Sequence, residues 1–283
     1  MLLVTGCGPI GSRLAKSFAD TDKVTWLCDK ERPTGDCLKY DIKKESDIKR
    51  IVEDLKPSRM VLTEEIPDVS FCESHRMYAM EYNTRGTRYF VEAGNALGTR
   101  VTYISTALVF DGRKTGGLYT EKDVVNPINV YGETKLMGEV AADKSQDRLV
   151  FRLGELYGKD VDGFVKRVYN SLKAGTKIEL ARDMYFSPIF IDDAVDAIVK
   201  LTSESIGGVY NLAGPERISQ YEMGLKIASA FGFNEELLVP LSADALGSAV
   251  RMPRDTSLDV SLISAIVKIR GIDDGLRALK ESL

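Results

Sequence analysis

Tyr131 and Lys135 stand four residues apart in Tyr-Gly-Glu-Thr-Lys, a spacing that puts a phenol and an ammonium on one helix face. A phenol with its ordinary pKa of about 10 is a poor acid–base catalyst near neutrality unless a nearby cation stabilises its anion. Lys135 supplies that cation. Ser105-Thr106 closes an apolar run at a strand end, where open α/β sheets meet their ligands. The Thr106 hydroxyl can hydrogen-bond a carbonyl or alkoxide oxygen. The three residues together suit proton transfer to a carbonyl oxygen, with hydride brought by a cofactor. A bare Tyr-x-x-x-Lys also describes a surface pair, so its context decides.

The context begins at the N-terminus. Thr5-Gly6-Cys7-Gly8-Pro9-Ile10-Gly11 follows a short apolar run and opens a helical pattern. Gly6 can take a tight turn, Gly8 lets the backbone approach a pyrophosphate, and Gly11 lets helix and strand pack closely. Cys7, Pro9 and Ile10 complete this candidate dinucleotide turn. Asp29, 23 residues after Gly6, is the candidate ribose reader at the end of the second strand. A carboxylate there leans the cofactor from NADP toward NAD, although Lys30 and Arg32 follow at once and could neutralise a 2′-phosphate. Asp41 and Ile42, after a Gly35-Asp36 turn, are candidates to meet an adenine; a helix cap is the alternative for Asp41.

Composition narrows the rest. The chain has 283 residues, 38 basic against 42 acidic, for a net charge of −4. That balance disfavours a nucleic-acid binder working by phosphate neutralisation, whereas backbone amides at a helix start can hold a small anion without net basicity. The single histidine, His75, excludes His-pair zinc hydrolysis and lies in no nucleophile elbow. No metal site is signalled. Cys7, Cys28, Cys37 and Cys72 form no Cys-x-x-Cys pair. Met1-Leu-Leu-Val lacks a basic n-region, and no apolar run approaches the ~20 residues of a membrane span. The expectation is a soluble cytoplasmic protein with reduced thiols and no membrane partner.

The elements that must position these residues alternate as βαβ units. Strands are expected at 2–5, 23–28, 60–63, 100–105, 149–153 and 208–212. Helices are expected through Ala19, over 48–55 before Pro57, and at 83–97, 130–142, 164–174 and 192–202. Ser219-Gln-Tyr-Glu222 reads as a capping box for a helix ending at Gly232. The predicted fold is α/β: a Rossmann-type doubly wound parallel sheet over 1–160 and a smaller C-terminal α/β substrate lobe over 161–283. Segments near 186–213 are candidates to rejoin the Rossmann domain.

The glycine turn, Thr106 and Pro-x-Asn-x-Tyr-Gly-x-Thr-Lys (127–135) resemble the extended short-chain dehydrogenase/reductase superfamily. Ile-Ser-Thr-Ala-Leu-Val-Phe-Asp-Gly (104–112), Tyr-Thr-Glu-Lys-Asp (119–123), the segment 210–219 and Arg-Met-Pro-Arg-Asp-Thr-Ser-Leu-Asp (251–259) narrow this. They are similar to the dTDP-4-dehydrorhamnose reductase-like sugar-nucleotide reductases. The resemblance implies catalytic roles for Thr106, Tyr131 and Lys135, with Tyr131 the proton donor to a 4-keto group of a nucleotide-linked deoxysugar. It implies that Lys135 and Tyr131 also meet the cofactor, that Thr63 lies beside it, and that Asn83 supports the lysine. Thr106, Val109, Glu155 and Arg254 are the implied substrate residues. Homodimerisation through the helices at 83–97 and 130–142 is implied as well.

Three departures stand out. The family's Asn-Ala-Ala-like strand end is Thr63-Glu64-Glu65 here, and two carboxylates beside a pyrophosphate must turn away or bind a cation. Ala107-Leu108 replaces the usual Asp-Tyr, and Glu155 replaces a Trp-like position. Two alternatives remain: an NAD-dependent sugar-nucleotide epimerase, and a non-catalytic NAD(P)-binding regulatory subunit resembling that of methionine adenosyltransferase.

Overall fold

The computed structural model describes residues 1–29, 37–145, 147–204, 206–247 and 250–283. Lys30, Arg32 and the Gly35-Asp36 turn lie outside the described residues. The strands of the main sheet are β1 (Leu2–Thr5), β2 (Val24–Asp29), β3 (Leu38–Tyr40), β4 (Arg59–Leu62), β5 (Arg100–Thr106), β6 (Arg148–Leu153) and β7 (Gly208–Leu212). They pair in the order β7-β6-β5-β4-β1-β2-β3, the order of a doubly wound nucleotide-binding sheet. Thr5 is in register with Leu27 on one side and Leu62 on the other, both pairings parallel. The strand order therefore reverses at β1, and the carboxyl ends of β1 and β4 flank the switch point where ligands of such sheets bind.

Two compact units divide the chain. The first comprises residues 1–109, 129–152 and 195–210, and the second 110–128, 153–194 and 211–283. In the first, β1 is buried throughout because it is covered on both faces, so its run reads Leu-Leu-Val-Thr without alternation. Helix α1 (Pro9–Ala19) starts with proline at its first position and buries Ile10, Leu14, Ala15 and Phe18 at helical spacing. Helix α2 (Glu45–Leu55) buries Ile48, Ile51 and Val52 and stops at Lys56, which adopts φ 47° just before Pro57. The second unit has its own core, in which Val168, Leu172, Leu180, Met223, Ile227 and Leu276 meet. Its helix Gln220–Phe231 carries both bonds of the expected capping box and ends at Gly232 with φ 74°.

Two expectations need correction. The helix expected at 83–97 begins instead as a π turn, Met80–Arg85, and continues as α3 (Gly86–Asn95). Asn83 sits in that wider turn, committed to bonds described below. The cysteines are not all thiols: Cys28 and Cys37 form a disulfide, with Cα atoms 5.7 Å apart. The parallel register pairs Leu27 with Leu38 and Cys28 with Lys39, which brings residue 37 beside the end of β2. Among the described residues no helix is long and apolar enough to cross a membrane, and no group of three His, Cys, Asp or Glu is placed to hold a metal ion.

Candidate active site

The glycine turn is shaped by contacts with the end of β4. Gly6 adopts φ 99°, which strongly favours glycine, and a Cβ there would run into Thr63 Oγ1 and lie 3.0 Å from the Glu64 amide. A Cβ on Gly11 would strike the Gly6 carbonyl and sit 2.7 Å from Thr63 Oγ1. Gly8 differs, since a Cβ on it would have nothing within 4 Å. Gly6 and Gly11 are packing glycines, whereas Gly8 borders open space. Thr63 ties the two strand ends together: its amide donates to Thr5 Oγ1 at 3.2 Å and its hydroxyl to the Thr5 carbonyl at 2.5 Å. Beneath the turn, Trp26 Nε1 donates to the Gly6 carbonyl at 2.8 Å. Gly8 caps α1 with no side-chain bond, so the first amides of the helix are presented as an anion site would need.

Asp29 ends β2 fully buried, and its Oδ2 accepts the Ile42 amide at 2.9 Å. Asp41 Oδ1 accepts from the Lys43 amide at 3.1 Å, capping the turn that leads into α2; the helix itself is capped by Lys44, so Asp41 is not the N-cap. Tyr40 carries a buried hydroxyl with no hydrogen-bond partner among the described residues. Burial pushes its pKa well above the usual phenol range, and the Glu64 charge raises it further. A nicotinamide dinucleotide fits this end: Gly8 leaves room for a pyrophosphate, and Tyr40 has a donor to offer. Gly6, Cys7, Gly8, Pro9, Ile10 and Gly11 form the turn that would hold it, with Asp29, Asp41, Ile42 and Thr63 around it.

The two unusual glutamates go separate ways. Glu64 is buried and turns inward, accepting from Tyr82 OH at 3.2 Å and from the Asp29 amide at 3.4 Å. Glu65 turns to the catalytic candidates. Its Oε2 accepts from Tyr131 OH at 3.1 Å and pairs with Lys135 Nζ at 2.7 Å. Each of the two fates foreseen for these carboxylates is thus met by one of them, and the cation that Glu65 binds is Lys135.

Helix α4 (Val130–Ala142) presents Tyr131 and Lys135 on one face, as their spacing requires. It starts at Asn129, whose Oδ1 accepts from the Gly132 amide at 2.9 Å, while Glu73 accepts from the Val130 amide at 3.0 Å. Asn83 braces the arrangement from the π turn. Its Oδ1 accepts from the Ile66 amide at 2.8 Å, and its Nδ2 donates to Thr134 Oγ1 at 3.0 Å, one residue before the lysine. Lys135 is 1% exposed and its Nζ lies 4.6 Å from the centre of the Tyr103 ring. Burial alone would lower its pKa; the Glu65 charge and then Tyr103 more than offset this, and the ammonium is held above its usual range. Tyr131 moves the same way: burial first, then the charge and hydrogen bond of Glu65, push the phenol well above its usual range.

Thr106 ends β5, and its Oγ1 accepts from the Leu108 amide at 3.2 Å, so the hydroxyl proton is directed elsewhere. Ala107 and Leu108, the residues that replace Asp-Tyr, form a single 3-10 turn with Val109, whose side chain is fully buried. In the second unit Glu155 is exposed and its Oε1 accepts the Phe164 amide at 3.1 Å, capping the helix Phe164–Lys173. Arg254 pairs with Asp183 at 3.3 Å and with Asp244. His75 is exposed and stacks on Phe71.

A doubly wound sheet with a glycine turn at its switch point, and Tyr131 and Lys135 on a helix of the same unit, defines an extended short-chain dehydrogenase/reductase fold. The chain belongs to the RmlD substrate binding domain family, which matches residues 1–280. It is 25% identical over 292 aligned positions to a dTDP-4-dehydrorhamnose reductase of Aggregatibacter actinomycetemcomitans, covering 99% of this chain and 97% of that protein. It is 27% identical over 277 positions to methionine adenosyltransferase 2 subunit beta of Xenopus tropicalis, covering 93% of this chain and 81% of the relative. Among solved structures, a hypothetical dTDP-4-dehydrorhamnose reductase from Sulfolobus tokodaii superposes with a TM-score of 0.87 at 30% identity, covering 97% of this chain and 98% of that one.

Proposed function

We propose that this chain is an NAD(P)-dependent reductase acting on the 4-keto group of a nucleotide-linked deoxysugar, with Tyr131 as proton donor. The observation that carries the reading is the convergence of Tyr131 OH and Lys135 Nζ on one carboxylate oxygen, at 3.1 and 2.7 Å. Two groups that reach one atom can also reach one substrate oxygen and its neighbours. When bound, the nicotinamide supplies hydride to the ketone carbon. Thr106 donates a hydrogen bond to the ketone oxygen, Tyr131 gives that oxygen its proton, and Lys135 stabilises the phenolate left behind. Gly8 admits the pyrophosphate, and Asp29 leans the preference to NAD. In the second unit, Arg254 and Glu155 are the candidates to hold the nucleotide sugar.

The test is NADH or NADPH consumption with a panel of nucleotide-linked 4-keto sugars. Tyr131→Phe is expected to lose about 10²–10⁴-fold in turnover while still binding dinucleotide. Turnover by the wild type on no member of the panel, or an unimpaired Tyr131→Phe, would sink the reading. A second reading, a non-catalytic dinucleotide-binding subunit, is favoured by one observation: Glu65 neutralises the cation that Tyr131 needs. Stoichiometric capture of a partner enzyme, unchanged by Tyr131→Phe, would establish it instead.

A further inference from the structure

Glu65 belongs to no motif, yet it is bonded to both groups that the chemistry requires. Its backbone is pinned on each side. Thr63 is held by two bonds to Thr5, and Ile66 is held at its amide and its carbonyl by Asn83. The strand end therefore delivers the carboxylate to a fixed place, and only its side chain has room to move. That side chain is 27% exposed, against 1% for Lys135, so it has a solvent-facing path that the lysine lacks. Tyr131 has a single phenolic proton, and a proton directed at Glu65 Oε2 is not available to a substrate oxygen.

We propose that Glu65 is a gate on the Tyr131–Lys135 pair: its carboxylate holds both groups in a closed arrangement that a nicotinamide dinucleotide must displace before either can act. The proposal rests on the dinucleotide-binding reading above. In the closed state the ammonium is neutralised and the phenol is a weaker acid than a solvated one. When Glu65 swings toward solvent, the Tyr103 ring 4.6 Å from the Lys135 ammonium offsets part of the cost of opening, and the rest is what holds the closed state dominant until ligand oxygens reach the cation. The released ammonium then lowers the Tyr131 pKa, which couples opening to activation. Neutral ribose hydroxyls replace a carboxylate poorly at an ammonium, so the closed state taxes binding by the fraction of molecules that are open.

The experiment uses NADH and NADPH as probes and Trp26 as reporter. The one tryptophan of the chain bonds the Gly6 carbonyl at 2.8 Å, under the glycine turn. Its fluorescence quenching gives Kd for the wild type, E65Q and E65A, each checked for wild-type circular dichroism. Both variants are expected to bind at least about 10-fold more tightly, as for a closed state outweighing the open one about ten to one. An ultraviolet difference titration of E65Q against E65Q/Y131F should also place the Tyr131 phenol lower than the same difference taken with Glu65 in place. A wild type that binds, with folded variants that bind no tighter, overturns the gate alone. Failure of all three proteins to bind either dinucleotide overturns the gate together with the reading on which it rests.

Discussion

The glycine turn and the Tyr131–Lys135 pair belong to one unit and are built on opposite principles. The turn is made of backbone and small residues: Gly6 and Gly11 close against Thr63 while Gly8 faces open space, and no side chain caps the helix behind it. The pair is made of charge already balanced, with Lys135 and Tyr131 both bonded to Glu65. The first end is formed by shape and stands ready without rearrangement. The second end is formed by electrostatics, and its readiness depends on where one carboxylate lies. Pre-organisation, in this fold, is a property of each end of the site and not of the site as a whole.

The contrast has measurable consequences for substitutions in and near the turn. Gly11→Ala forces a methyl against the Gly6 carbonyl and Thr63, and should cost roughly 3 kcal/mol of stability by overpacking, read from the denaturant midpoint. A Gly11→Ala protein as stable as wild type would mean that the turn is looser than its contacts indicate. Cys37→Ser removes a crosslink between residues nine apart; loop closure of that length is worth about 2.5 kcal/mol. Unfolding curves of the variant and wild type should differ by that amount without reductant and coincide with it. A variant that matches oxidised wild type would show that the bridge does not support the end of β2. Gly8→Ala should cost far less stability than Gly11→Ala, because its Cβ meets nothing and only the weaker N-cap preference of alanine is lost, about 1 kcal/mol or less. It should weaken dinucleotide binding about 10-fold, or ~1.4 kcal/mol, by titration calorimetry. Equal effects of Gly8→Ala and Gly11→Ala on folding would erase the distinction between packing and ligand-facing glycines.

Much of this arrangement was legible in the sequence wherever a local rule applied. The bounds of β1, α4 and β7 follow from short apolar runs and from Asn129 and glycine signals beside them. The doubly wound sheet follows from the alternation of those runs with helical periods. Tyr131 and Lys135 share a face because helical spacing puts them there. The partner of Lys135 was not legible, because Glu65 approaches from a different strand end, 66 residues before Tyr131, and no periodicity links positions so far apart. The same holds for Tyr82 with Glu64, and for the Cys28–Cys37 bridge, which depends on the register of β2 against β3. The π turn was hidden as well, since its side chains keep an ordinary helical pattern while Asn83 answers to Ile66 and Thr134.

That π turn has a consequence for how the molecule tolerates change in length. Each residue of a helix advances the chain by about 100° around the axis. A π turn such as Met80–Arg85 accommodates one residue more than a regular turn would, so the helix after it keeps its phase despite the surplus. Deleting one residue between 80 and 85 would let the segment close to a regular α turn, so Gly86, which abuts the Ile42 side chain, would keep its facing, and with it the face of α3. The segment works as a phase absorber: loss of a single residue is taken up there, whereas the same loss within α3 (Gly86–Asn95) would re-aim every side chain after it.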